Sequence, residues 1–257
     1  MLDGQVAVIT GGTRGIGRGI AEAFLEQGAR VVVNGRNTEK GERAVAEMDG
    51  GDRVLFVAGD VTSQQDVENV IATTISHFGK VDILVNNAGG SSGFAPVAQM
   101  SDEAWQEAAA WILNSAFWAS RAALADMETR GYGRIINISS VEGRQASKAT
   151  VSHYITFKHA LNGFTKAVAF EYGPVGITCN AISPGGVETD LMMDSGPAAA
   201  ESMGITYEEF KDGYAQEASI KRLNTVEEVA AVALLLVSPA GGGITGANMP
   251  VDGGTAL

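Results

Sequence analysis

The feature that most restricts the fold of this chain is a rhythm. Short apolar runs at 5–10, 30–34, 53–58, 81–85, 134–138 and 176–183 alternate with helical patterns, six times over. Each run is almost continuously apolar, as a strand buried on both faces must be. Strands that alternate with helices in this way form a parallel sheet with helices on both of its faces. A last strand around 248–251 brings the expected count to about seven. No linker-like break or internal repeat interrupts the pattern. The expectation is therefore α/β, a single Rossmann-type doubly wound parallel sheet, with residues 1–257 forming one domain.

The first run leads into Gly11-Gly-Thr-Arg-Gly-Ile-Gly17 and then into a helix. A strand, a glycine-rich turn and a helix start make a phosphate cradle: the backbone approaches closely where side chains are absent, and the helix N-terminus presents free N–H groups. Glycines at 11, 15 and 17 depart from the commonest dinucleotide spacing, and the strand-to-helix context carries the reading. The second strand ends in Asn34-Gly-Arg36. An NAD site usually places an acid here, about 20 residues after the turn, to hold the ribose hydroxyls. No acid stands at 34–38, whereas Arg36 and Arg14 are placed to hold a 2′-phosphate. Two solvated arginines is the plainer alternative, and NADP is preferred over NAD. Asp60 and Val61 follow the third strand at its carboxyl end, where the crevice of an open α/β sheet lies. Asn86-Asn-Ala-Gly-Gly90 follows the fourth strand with small residues that let a cofactor ring pass.

The second half carries the candidate chemistry. A long amphipathic helix is predicted over about 102–127 with Asn114 in its middle, an unfavourable place for an amide that competes with the helix backbone. The next strand ends in Ser139 and Ser140. A further helix is predicted from 152 to about 171, and it puts Tyr154 and Lys158 one turn apart on one face. A phenol normally ionises near pH ~10, and an ammonium beside it favours the phenolate. The pair is then a tunable proton donor and acceptor. A half-buried tyrosine beside a snorkelling lysine is the alternative that the pair alone leaves open.

Bulk properties exclude several classes. The net charge of −12 argues against a nucleic-acid surface, which needs a basic patch. The longest apolar run, at 229–237, has nine residues and is too short to span a bilayer. The early first strand leaves no room for a signal peptide. Cys179 is the single cysteine, so no internal disulfide forms and a reducing cytoplasm suits the chain. The three histidines show no ligand spacing, and no metal site is expected.

Taken together and in order, Thr10-Gly-Gly-Thr-Arg-Gly-Ile-Gly17, Asn86-Asn-Ala-Gly89, Asn114, Ser140, Tyr154-x-x-x-Lys158 and Asn180-Ala-Ile-Ser-Pro-Gly185 with Thr189 resemble the short-chain dehydrogenase/reductase family. Val251-Asp-Gly-Gly254 extends the resemblance to nearly the whole chain. It implies hydride transfer between a nicotinamide cofactor and a ketone or secondary alcohol. Ser140 then hydrogen-bonds the substrate oxygen and Tyr154 passes the proton. Lys158 holds the nicotinamide ribose and lowers the phenol pKa, and Asn114 anchors a water behind Lys158. The implied cofactor contacts are Gly11, Thr13, Arg14, Gly15, Ile16, Gly17, Arg36, Asp60, Val61, Asn87, Ala88, Gly89, Tyr154, Lys158, Pro184, Gly185, Val187 and Thr189. The family also implies a homotetramer.

Two departures bear on the substrate. Phe157 stands where the family usually has a small residue. The segment 190–218 is longer than in compact acyl-carrier-protein ketoreductases and carries Leu191, Met192, Met193, Met203, Phe210 and Tyr214. Pro197 is expected to divide it into two pieces, the second helical from 207 to about 217. It reads as a lid over the substrate, with a plain surface excursion as the alternative. Met and Phe favour an apolar substrate or acyl chain, while Arg144 and Lys148 suit a carboxylate, which Glu142 would repel if it faces the pocket. Reduction of a 3-oxoacyl-type or other ketone leads. Oxidation of a hydroxy acid, sugar or polyol comes second, and a non-catalytic dinucleotide-binding scaffold third.

Overall fold

The computed structural model describes residues 1–256, and of Leu191 and Ser195 the backbone only. Seven strands form one sheet: β1 (Val6–Ile9), β2 (Arg30–Gly35), β3 (Val54–Ala58), β4 (Ile83–Asn86), β5 (Gly133–Ile138), β6 (Ile177–Pro184) and β7 (Asn248–Val251). Every neighbouring pair is parallel, and the order is β3-β2-β1-β4-β5-β6-β7. The chain first builds outward from β1 to β3, then returns to the other side of β1 with β4. The carboxyl ends of β1 and β4 therefore diverge, and the loops that leave them open a crevice at that edge.

Successive side chains of a strand point to opposite faces of the sheet. In β2, Val31 and Val33 face α1 (Gly15–Glu26) and α9 (Val226–Val237), joining Ile20, Phe24, Val229 and Leu236. Val32 faces the other way, toward α3 (Gln64–Phe78) and α5 (Ser115–Arg130), with Ile71, Leu124 and Met127. Phe24 is wholly buried, a contribution of about 2–3 kcal/mol from its apolar surface alone. The helix starts follow sequence: Asn37 caps α2 (Thr38–Glu47), Ser63 caps α3, and Thr225 with Glu228 forms a reciprocal box at α9.

Two expected helices differ in detail. The helix predicted over 102–127 is α4 (Asp102–Ala108), a π turn (Ala109–Asn114) and α5. A π turn inserts an extra residue into the helix and redirects the side chains that follow. Residues 190–203 form one helix, α7 (Asp190–Met203), which runs through Pro197 instead of breaking there. Proline normally forces its predecessor out of the helical region by clashing with that residue's Cβ. Here the predecessor is Gly196, which has none. A Cβ on Gly196 would lie 2.4 Å from the Tyr207 ring, so the same glycine also lets α8 (Tyr207–Glu217) dock on α7.

Candidate active site

The crevice is an open cleft of about 1290 Å³, lined from the glycine turn to α8. That exceeds the ~300–1,000 Å³ of ordinary small-molecule pockets and suits a dinucleotide with a substrate beside it. Gly11 and Gly15 hold left-handed backbone, φ +62° and +53°, which only glycine adopts without strain. Arg14 caps α1 with no side-chain hydrogen bond; the Gly15 N–H donates to the Asp190 carboxylate at 3.4 Å, and the next N–H groups of α1 remain as anion donors. Gly17 does not line the cleft. A Cβ there would stand 2.4 Å from Asn87 Nδ2, so its role is to admit the Asn87 side chain. Asn87 Nδ2 donates to the carbonyls of Thr10 (2.9 Å) and Gly11 (3.1 Å), and the backbone N–H groups of Asn87 and Ala88 donate to Thr10 Oγ1. Turn and β4 loop are thus locked together.

Of the expected cofactor contacts, all but Gly17 line the cleft. Arg36 is exposed, 3.9 Å from the Asp60 carboxylate. Partial burial raises the Asp60 pKa, but the Thr62 N–H and hydroxyl and the Arg36 charge outweigh it and hold the carboxyl below its usual range. Trp111, which the sequence reading passed over, sits in the π turn with its ring 5.8 Å from the Arg36 guanidinium. Its position three residues before Asn114 was the available signal.

At the other end β5 and α6 (Ser152–Tyr172) deliver Ser140, Tyr154 and Lys158 to the cleft. Ser140 Oγ accepts from Glu142 N–H at 3.2 Å, while Ser139 Oγ turns away to donate to the Lys158 carbonyl. Lys158 is buried, donates from Nζ to the Ile138 carbonyl at 2.7 Å, and lies 5.5 Å from the Tyr154 ring centre. Burial lowers its pKa to about 8. The Tyr154 phenol is displaced upward: burial is the main cause, a hydrogen bond from Ser140 opposes it, and the Glu142 carboxylate adds to it. This differs from the simple expectation that the neighbouring ammonium brings the phenol down, because the burial of the phenol itself dominates. Asn114 ends the π turn and does not line the cleft.

The two cations considered for a carboxylate are both engaged. Arg144 pairs with Asp252 at 3.1 Å, and Lys148 pairs with Glu217 at 3.2 Å and lies 3.9 Å over the Tyr214 ring. From 190–218, Met192, Phe210 and Tyr214 face the cleft, whereas Met193 and Met203 face solvent. The side chain of Leu191 lies outside the described residues. Phe157 does not enter the cleft and packs edge-on against Trp105.

Residues 5–200 match the family model of the short chain dehydrogenases. The chain belongs to this family. Proteins similar to it include D-beta-hydroxybutyrate dehydrogenase of Cupriavidus necator, 39% identical over 99% of this chain and 98% of that protein. 3beta-hydroxysteroid dehydrogenase 2 of Eggerthella lenta is 37% identical over 99% of this chain and 95% of that protein. Among solved structures, a single-residue variant of actinorhodin polyketide ketoreductase with NADPH superposes with a TM-score of 0.91 at 33% identity, covering 98% of this chain and 97% of that one. The family and the fold expected from the sequence motifs are both found.

Proposed function

We propose that this short-chain dehydrogenase is an NADP(H)-dependent carbonyl reductase acting on an uncharged, largely apolar ketone, of which a 3-oxoacyl thioester is one form. The observation that carries the reading is the convergence of Ser140, Tyr154 and Lys158 at one end of a cleft whose other end holds Arg14 and Arg36. The donor set fits the cofactor: free N–H groups of α1 suit a pyrophosphate, Arg14 and Arg36 a 2′-phosphate, and Asp60, Val61 and Trp111 flank the space for an adenine. The stretch from Pro184 to Thr189 and the Lys158 ammonium line the nicotinamide end. A dinucleotide bound there supplies or takes up the hydride.

The protein's own part is to orient the carbonyl and move one proton. Ser140 donates a hydrogen bond to the carbonyl oxygen and fixes it beside the Tyr154 hydroxyl. As the carbon is reduced, the Tyr154 O–H bond breaks and its proton passes to that oxygen. The phenolate left behind is stabilised by Lys158 and regains a proton from solvent along the side where Asn114 stands. Positioned proton transfer of this kind contributes roughly 10²–10⁴-fold. Oxidation of a carboxylate-bearing alcohol is less favoured, because Arg144 and Lys148 already have acidic partners.

The test is a panel of ketones and secondary alcohols with NADPH and NADH, followed at the nicotinamide absorbance, with Tyr154→Phe alongside. Reduction of neutral ketones is expected, falling at least about a hundredfold in Tyr154→Phe. Unchanged turnover in that variant would remove Tyr154 from the mechanism.

A further inference from the structure

Trp111 lines the cleft beside the space for an adenine, and its ring also lies 5.8 Å from the Arg36 guanidinium, which reaches it from the turn after β2. The indole is anchored. It is half-buried against the α3/α5 side of the core, and it lies so close to Gly90 that a Cβ there would stand 3.3 Å from the ring. Its carbonyl accepts from the Ser115 hydroxyl at 2.7 Å, which ties the π turn to α5. Arg36 is the opposite case. Its side chain is 69% exposed, and the Asp60 carboxylate stands 3.9 Å from Nη1, too far for a hydrogen bond.

We propose that Trp111 is a positioning residue that sets the preference for NADP: the indole carries the Arg36 guanidinium and keeps its N–H fork free for the 2′-phosphate. This role rests on the reading of the cleft as an NADP site. A guanidinium lays its plane on an aromatic face and donates hydrogen bonds from its edge, so ring and phosphate do not compete for it. A long exposed side chain loses rotamer freedom when it grips a ligand, and a rigid platform removes part of that loss before binding. The ring also holds the arginine back from a rival. Released from it, the guanidinium has Asp60 within reach, and a bidentate pair there would occupy the fork.

The other candidates in and around the cleft do not offer this arrangement. Arg14 lies 3.8 Å from the Asp194 carboxylate. Lys40 on α2 lines the cleft but ends in a compact ammonium with no planar face. Of the other two tryptophans, Trp105 packs on Phe157 and Trp118 on the core, and neither lines the cleft.

Calorimetric titration with NADP and with NAD measures the role through the ratio of the two dissociation constants, in which any loss shared through the adenine cancels. Trp111→Leu should reduce the preference for NADP about three- to tenfold, and Trp111→Phe, which keeps a ring, should restore most of it. With Arg36 already replaced by alanine, Trp111→Leu should leave the ratio unmoved, because the ring then has no guanidinium to carry. A parental ratio in Trp111→Leu overturns the proposal and makes the indole a wall for the base alone. A ratio that still shifts in the Arg36→Ala background overturns it as well.

If Trp111→Leu does not fold, fluorinated tryptophan in place of all three tryptophans carries the test. It keeps the shape and drains the negative potential of the ring face, and only Trp111 of the three lines the cleft. The preference for NADP should fall about threefold, and an unmoved ratio overturns the proposal. A parent that binds NADP more tightly than NAD, with an unmoved ratio in the variants, leaves the NADP reading standing while the role of Trp111 falls. A parent that binds NAD more tightly overturns both.

Discussion

The two halves of the cleft are held in different ways. On the β1–β4 side the walls are backbone: left-handed glycines, free helix N–H groups, and Asn87 bonded to two main-chain carbonyls. On the β5–β6 side the walls are side chains, Ser140, Tyr154, Met192, Phe210 and Tyr214 among them, with ion pairs tied across elements outside the lining, Arg144 to Asp252 and Lys148 to Glu217. Backbone geometry reads groups that every dinucleotide shares, and it is hard to alter without displacing the turn. Side-chain pairs are easily exchanged, which suits the half that meets a variable substrate. The α6 helix joins the two, and its Lys158 belongs to both.

The sharpest way to break the comparison is therefore at that junction. Lys158→Met is expected to reduce turnover by at least about a hundredfold, as loss of a single buried electrostatic group commonly does. The same change should stabilise the ligand-free protein. In the folded state the Lys158 pKa is about 8 against an ordinary value of 10.5, so burying the ammonium opposes folding. The penalty is full below pH 8, shrinks between pH 8 and 10.5, and is gone above. At neutral pH the variant should gain about 3 kcal/mol, a melting temperature higher by several degrees. Melting curves at about pH 7 and about pH 10 check it: the advantage must narrow at the higher pH. An equal advantage at both would mean that the ammonium carries no burial penalty.

The difference between the halves also explains how far the sequence could be read. Strand number, sheet type and the cradle were legible because they follow from apolar runs and from glycines between a strand and a helix. The juxtaposition of Tyr154 and Lys158 follows from helical spacing, and its role from the ordered motifs around it. What escaped depends on contacts between distant segments. Nothing local announces that Gly17 yields its space to Asn87, or that Gly196 lets a helix run through Pro197. The π turn turns Trp111 toward Arg36, and the regular helix expected there gives no warning of it. The partners of Arg144 and Lys148 are 108 and 69 residues away, so their neutralisation was invisible in the chain order.

A smaller effect is expected on the backbone-built side, at its exposed Arg36. Arg36→Ala should weaken NADP binding about tenfold, equivalent to ~1.4 kcal/mol, and leave NAD binding within about twofold. Titration of tryptophan fluorescence with each dinucleotide measures both, since Trp111 lies against Arg36. Equal losses for the two dinucleotides would show that Arg36 meets a shared part of the ligand. The half would then discriminate through its backbone alone, and the contrast between the halves would be stronger still.

The smallest effect belongs to the segment 190–218, which we propose closes over the substrate. No residue of α8 is buried; the helix is started by its own capping box and held to α7 by Tyr207, whose hydroxyl donates to the Met192 carbonyl at 3.2 Å and whose ring lies over Gly196. The Lys148 ammonium adds a clasp, with Glu217 on one side and the Tyr214 ring on the other. Both Lys148 and Glu217 are partly solvated, so the ion pair contributes under about 1 kcal/mol, and the ring contact adds about as much. Lys148→Ala should raise the rate of limited proteolysis within 190–217 by about two- to fivefold. KM for a bulky ketone should rise by a similar factor, while kcat for a small one stays within about twofold. If cleavage is unchanged, the contacts of Tyr207 with α7 hold α8 down without the clasp, and the substrate half is as rigid as the cofactor half. If kcat for the small ketone falls instead, Lys148 reaches the reacting groups, and the division of the cleft into a chemical wall and an exchangeable lid must be redrawn.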